Sequence, residues 1–185
     1  MIVLLGLALL LSLAAIGRDA RVLPFHGTCA AACVSGIGHG APALMALALL
    51  PVLNGAGMIV LRRHVAWRAG DLRSRRQAQQ EAGMAVCAAI ALVLLTALAA
   101  APGLPVLICI GIVLAGLCGA ALSLPLLQLT GLLCALNGLL LLGGHEHNWF
   151  LVLGTALVWI GLLSLGGWLM PRLAWLRTEG DGDHG

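Results

Sequence analysis

The sequence predicts an all-α fold: a polytopic transmembrane helical bundle of about seven spans, with the N-terminus outside and the C-terminus inside. Three observations predict it. Hydrophobic residues make up 61% of the 185 positions and charged residues 9%, with a mean hydropathy of +1.06, so most of the chain cannot face water. The apolar residues fall in runs of about 20, the length of a bilayer-crossing helix. The ten basic residues are all arginine and cluster between those runs. Seven spans use roughly 140 positions. No Rossmann unit, P-loop domain or nucleic-acid module fits in the remainder, and the charge of +3 reflects loop placement more than a basic binding face.

The spans follow in order. In the first, 2–17, Met1–Ile16 has no basic n-region and Arg18 and Arg21 come after the apolar stretch, the arrangement of a retained N-out anchor and not of a cleaved secretory signal. The second, 22–40, is diluted by His26, Thr28, Ser35, His39 and several glycines; it reads as a polar span hidden in the bundle, with a re-entrant segment as the alternative. The third, 42–61, leads into the basic loop 62–81, which carries Arg62, Arg63, Arg68, Arg73, Arg75 and Arg76 with Asp71 and Glu81. Such a loop either pairs with anionic lipid headgroups as a topology anchor or docks a hydrophilic partner subunit. The remaining spans are 82–101, 105–123, 125–143 and 148–170, the last flanked by Trp149, Trp168 and Trp175 as interface anchors. Residues 1–177 thus form one transmembrane bundle, and 178–185, rich in glycine and acidic residues, a flexible tail.

Orientation comes from the arginines. With the N-terminus outside, the loops after spans one and three and the C-terminal tail lie inside and hold all ten, including Arg172 and Arg177, as the positive-inside rule requires. An even number of spans breaks that agreement. Arginine without lysine, together with abundant alanine and glycine, suits a bacterial chain of the inner (cytoplasmic) membrane.

Ionisable groups within the hydrocarbon region are costly and therefore usually functional. This chain has almost none. Between Glu81 and Glu146 there is no Asp, Glu, Lys or Arg, and the earlier spans contain none; only His26 and His39 could titrate within a span near neutral pH. A proton pump acting alone is a poor fit.

His26, Cys29 and Cys33 recur at i, i+3 and i+7 on one helix face. Two thiolates and an imidazole suit a metal or haem site but are one ligand short of a closed tetrahedron. The competing reading is a small-residue packing face, its thiols acting as small apolar groups and its histidine bonded to a neighbouring helix. Cys87, Cys109, Cys118 and Cys134 sit mid-span without paired spacing, as buried reduced filler. In the sixth span Thr130, Cys134 and Asn137 make a polar stripe, with Gln128 beside a row of small residues; Gln128, Thr130 and Asn137 form a candidate polar axis, either bonded between helices or lining a wet path. His145, Glu146 and His147 form an outer-surface cluster that reads as a solvated loop or a weak metal site.

The segment from Leu107 through the last arginines, above all Gly116-Leu117-Cys118 and Leu126-Leu127-Gln128-Leu129-Thr130-Gly131-Leu132-Leu133-Cys134-Ala135-Leu136-Asn137-Gly138, resembles the E-type membrane component family of hydrogenase-4 and formate hydrogenlyase-type complexes. The last three spans of that family are similar to the K subunit of respiratory complex I. Leu49-Leu50-Pro51 through Arg62-Arg63 is more loosely similar to its third span, so about half of the chain is covered. The family places a glutamate of its proton-carrying axis directly before Asn-Gly; here that position is Leu136, and the third-span lysine of the family is also absent. The resemblance therefore implies the architectural role without the proton relay: a non-catalytic subunit bridging an antiporter-like subunit and the membrane anchor of a complex I-related oxidoreductase. It also implies that iron–sulfur and metal centres belong to partners and that this chain holds no cofactor.

Two other classes compete. An independent small transporter or channel needs a polar site near the midplane, often with a broken helix, for which Pro51, Asn54, Gly55 and Gly57 are the hint. Spans one to three and five to seven each contain an Asn-Gly pair, Asn54-Gly55 and Asn137-Gly138, and any duplication of those triplets is parallel. A haem- or metal-binding membrane anchor would use His26, Cys29 and Cys33.

Overall fold

A computed structural model of the chain describes residues 6, 8, 9, 12, 22–37, 40–62, 103–121 and 125–180. Five helices account for most of them: α1 Leu23–Ile37, α2 Ala41–Arg62, α3 Leu104–Ala120, α4 Pro125–His145 and α5 Trp149–Gly180. Among the described residues there is no strand. Ala41–Leu61, Pro125–His145 and Trp149–Arg172 are long and apolar enough to cross a membrane, and Pro105–Ala120 is a shorter apolar helix.

Each of these helices starts within one residue of a predicted span start. The polar second span gives a helix of only 15 residues, about 22 Å at 1.5 Å per residue. At the other end α5 continues to Gly180, so residues 178–180, expected at the start of a flexible tail, are helical. In the predicted first span Gly6, Ala8, Leu9 and Ser12 are helical. The predicted span 82–101 and the loop residues Arg63, Arg68, Arg73, Arg75 and Arg76 lie outside the described residues.

Local chemistry sets the helix ends. Pro24, Pro42, Pro105 and Pro125 each sit in the first two positions of a helix, where the missing N–H needs no partner. α5 begins differently: Asn148 Oδ1 accepts the Leu151 N–H at 3.2 Å, an asparagine N-cap. Between α4 and α5, Asn148 N–H reaches back to the Gly143 carbonyl at 3.0 Å around His147, whose φ is 53°. That is a Schellman closure with histidine where glycine is preferred. His147→Gly is expected to raise stability by about 1 kcal/mol, read as a higher unfolding midpoint. Pro51 lies within α2, yet the helix is continuous from Ala41 to Arg62, so the broken helix hinted at by Pro51 and its neighbours does not form.

Glycines fix the register between helices. A Cβ on Gly27 would meet Asn54 at 2.7 Å and one on Gly57 would approach Leu23, which makes α1 and α2 antiparallel. Gly144 facing Ala46 sets α2 against α4 in the same sense. Gly116 packs on the Ala135 backbone and Gly131 on the backbone of Gly119 and Ala120, so α3 and α4 touch main chain to main chain. Gly143 against Val152 and Gly166 against Leu129 make α5 antiparallel to α4. Arg62 and Arg172 consequently end at one pole of the bundle, and Gly40 and the turn around His147 at the other.

α4 is the axis of this arrangement. Some 61% of its apolar window is buried, against 22% for α5, which presents Phe150, Leu157, Val158 and Leu165 outward. Trp168 on that outer face stacks under the Arg172 guanidinium at 3.8 Å, an arrangement suited to an interface anchor. Among the described residues, nothing lies within 4 Å of where a Cβ on Gly55, Gly154 or Gly161 would sit. Alanine at any of these three is expected to stabilise by about 0.5–1 kcal/mol through helix propensity, measured as a raised midpoint of thermal unfolding.

Candidate functional site: a buried histidine–asparagine network

Among the described residues, the core between α1, α2 and α4 has one level at which three polar side chains meet, His26, Asn54 and Asn137, each with no exposed surface. The two asparagines pair reciprocally. Asn54 Nδ2 donates to Asn137 Oδ1 at 3.0 Å, and Asn137 Nδ2 donates to Asn54 Oδ1 at 2.8 Å. Each amide keeps one further hydrogen. That of Asn54 goes to the Leu50 carbonyl at 2.7 Å, and that of Asn137 points at His26 Nδ1, 3.0 Å away. On the far side of the ring, His26 Nε2 meets Ser12 Oγ, whose own bond to the Ala8 carbonyl is 2.8 Å.

The direction of every bond follows from its two ends. The Leu50 carbonyl can only accept, so it orients the Asn54 amide, and Asn54 in turn orients Asn137. Asn137 then presents N–H to His26 Nδ1, which must accept. The ring is therefore the neutral Nε2–H tautomer, donating to Ser12 Oγ, which passes its own hydrogen to Ala8. Turning either amide over would set oxygen against oxygen at Leu50 or nitrogen against nitrogen between the pair. Every hydrogen on these four side chains has one acceptor.

Sequence explains why the level exists. Asn54 and Asn137 fall near the middles of α2 and α4, and Gly27 on α1 leaves room for the Asn54 amide, which a Cβ there would strike. Gly138, next to Asn137, lets α4 close on Val113 and Ile112 of α3. Trp159 reaches in from α5 with its ring over Gly57; its Nε1 is buried with no hydrogen-bond partner among the described residues.

The structure separates residues that the sequence grouped. Of the candidate polar axis, Asn137 joins the network. Thr130 spends its hydroxyl on the Leu126 carbonyl of its own helix at 2.8 Å, and Gln128 is half-buried two turns further down. Leu136, where the resemblance would put a glutamate, is 9% exposed and belongs to the hydrophobic core. Leu136→Glu is expected to destabilise by about 3 kcal/mol, since a carboxylate would enter an apolar contact surface; unfolding in detergent reads it.

Of the metal candidates, His26 has both ring nitrogens engaged, while Cys33 is buried and Cys29 half-buried one turn away. Among the described residues no group of three His, Cys, Asp or Glu side chains is placed to hold a metal. At the outer cluster His145 Nε2 lies 3.9 Å from Glu146 Oε1. His39 lies outside the described residues, and of the basic loop Arg62 alone is placed, at the end of α2.

Sequence reading weighed Asn54 only as a hint of a transporter and did not single out Ser12. The available signal was the pair of mid-span asparagines. A neutral amide in hydrocarbon needs a partner, and two at matching depth in antiparallel helices are each other's best one. Ser12 has no such signal, because a serine inside a span ordinarily bonds its own helix.

No protein-family model, curated protein or solved structure matches the chain.

Proposed function

We propose that this protein is a non-catalytic integral membrane subunit of a hydrogenase- or formate hydrogenlyase-like, complex I-related oxidoreductase in the bacterial inner membrane, bridging an antiporter-like subunit and the membrane anchor. The observation that carries the non-catalytic part is the closed network. Its polar atoms are neutral, fully buried and mutually satisfied, and the neighbouring Leu136 packs as core. Such a circuit fixes three helices in register, with both ring nitrogens of His26 already engaged. The kind of complex is supported by the resemblance of the segment around Leu126–Gly138, and a bridging role by α5, which gives most of its apolar surface to whatever surrounds the bundle. Electron transfer and substrate chemistry then belong to partners bearing iron–sulfur and other metal centres.

Affinity purification of the tagged protein from its native host in mild detergent, with mass spectrometry and an optical spectrum of the same sample, tests the proposal. Recovery of an antiporter-like membrane protein together with metal-bearing soluble subunits is the expected result. A chain that purifies alone as a monomer or homo-oligomer overturns it.

A transporter is the second reading, and its specific support is the depth of the network. It would use His26, Asn54 and Asn137 as its midplane site, and Asn137→Leu would then abolish transport in reconstituted vesicles.

A further inference from the structure

Asn54 and Asn137 lie 83 residues apart, and at that same offset the chain repeats itself. Leu50-Pro51-Val52-Leu53-Asn54-Gly55 matches Leu133-Cys134-Ala135-Leu136-Asn137-Gly138 in both leucines, the asparagine and the glycine, and Pro42 and Leu44 match Pro125 and Leu127. Leucine matches are cheap in such a chain; Pro, Asn and Gly in one register are not. The two segments form helices of nearly equal length, 22 residues in α2 and 21 in α4, both opened by proline. Each is the second arm of a helical hairpin, after α1 and α3 respectively. The hairpins point in opposite directions, since α2 and α4 are antiparallel, and the asparagines pair reciprocally, as equivalent residues on a twofold axis do. The predicted spans 2–17 and 82–101 stand at nearly the same offset ahead of them.

We propose that residues 23–62 and 104–145 are inverted copies of one unit, related by a pseudo-twofold axis in the membrane plane through the Asn54–Asn137 pair, and that the bundle can exchange the roles of the two copies about this pair. This corrects the parallel duplication expected from pairing spans one to three with five to seven: the matching asparagines occupy the third span of triplets one to three and four to six, and an odd-numbered unit inverts on duplication. The exchange follows from how the copies differ. α1 packs on α4 and places His26 against Asn137, whereas α3 scarcely touches α2, and Cys109, the equivalent of His26, is buried without reaching Asn54 in any hydrogen bond described. In the exchanged arrangement α3 closes on α2, Asn54 turns its second amide hydrogen from Leu50 toward Cys109, and His26 releases Asn137. Two inverted halves moving about a midplane pair is the geometry of alternating access, and it goes beyond the subunit role proposed above.

Two experiments on the full chain test this. Exchanging the cysteine and histidine, H26C with C109H, should restore most of the unfolding midpoint that H26C loses, roughly 5 °C. A double variant no more stable than H26C alone overturns the exchange. A complete substitution scan scored by membrane abundance does not depend on any single variant folding. Tolerance along 41–62 should correlate with that along 124–145 more strongly at the offset of 83 than at offsets one helical turn to either side. Equal correlation at the shifted offsets overturns the repeat.

Discussion

Asn137→Leu is expected to cost the bundle about 3 kcal/mol or more. An average interhelical hydrogen bond in a membrane contributes only about 0.6 kcal/mol, so the bonds themselves are not the source of so large an effect. What decides it is the state left behind. Leucine removes the acceptor of one Asn54 hydrogen, the donor to Asn54 Oδ1 and the donor to His26 Nδ1, and these buried polar groups lose those partners. Asn54→Leu orphans two atoms of Asn137 and leaves the His26 contact in place, so it should cost less. The double variant N54L/N137L should be more stable than the sum of the two single losses predicts, because each leucine removes a group that the other had orphaned. Thermal unfolding of the four proteins in one detergent reads the cycle; strict additivity would mean that the amides do not depend on each other.

The second large effect is expected at Gly131. A Cβ there would run into the Ala120 nitrogen, the Gly119 carbonyl carbon and the Gly116 oxygen, all main-chain atoms of α3. A flexible side chain could swing away, but a helix backbone can only retreat as a whole. Gly131→Ala therefore forces α3 from α4 along their closest line of contact and should cost about 2–3 kcal/mol, although alanine is the better helix former by about 1 kcal/mol. Gly161→Ala on the open face of α5 is the internal control, expected to move the midpoint the other way. Stability of G131A equal to the parent would show that the two helices do not approach as closely as Gly116 and Gly131 permit.

Much of the described helical layout was legible in the sequence, because runs of about 20 apolar residues are a local signal. α1 was the exception in length: a span diluted by His26, Thr28 and Ser35 carries a weaker periodic signal, and packing between α2 and α4 holds it as a helix of 15 residues. Asn137 and His26 were visible as polar residues in apolar company, but what they bond to was not. Their partners come from 83 and 111 residues away in the chain, and spacing along one helix says nothing about which neighbour arrives at the same depth. The same blindness made His26, Cys29 and Cys33 look like one constellation: they share a helix face, yet the histidine faces Asn137 and Ser12. Leu136 was legible as an apolar residue directly before Asn137-Gly138, and its place in the core required the fold.

The Leu50 and Ala8 carbonyls, which can only accept, set the direction of the bonds at the two ends of the network, and the directions meet at His26 only if the ring carries its proton on Nε2 and none on Nδ1. Nitrogen-15 spectra of histidine-labelled protein in lipid bilayers at neutral pH, with His26 assigned by comparison with H26C, measure that tautomer directly. The account predicts a neutral Nε2–H ring whose Nδ1 signal changes in N137L. A ring protonated on Nδ1, or on both nitrogens, would contradict it, because Asn137 could then no longer donate to His26 and the run of bonds from Leu50 to Ala8 would be broken at that contact.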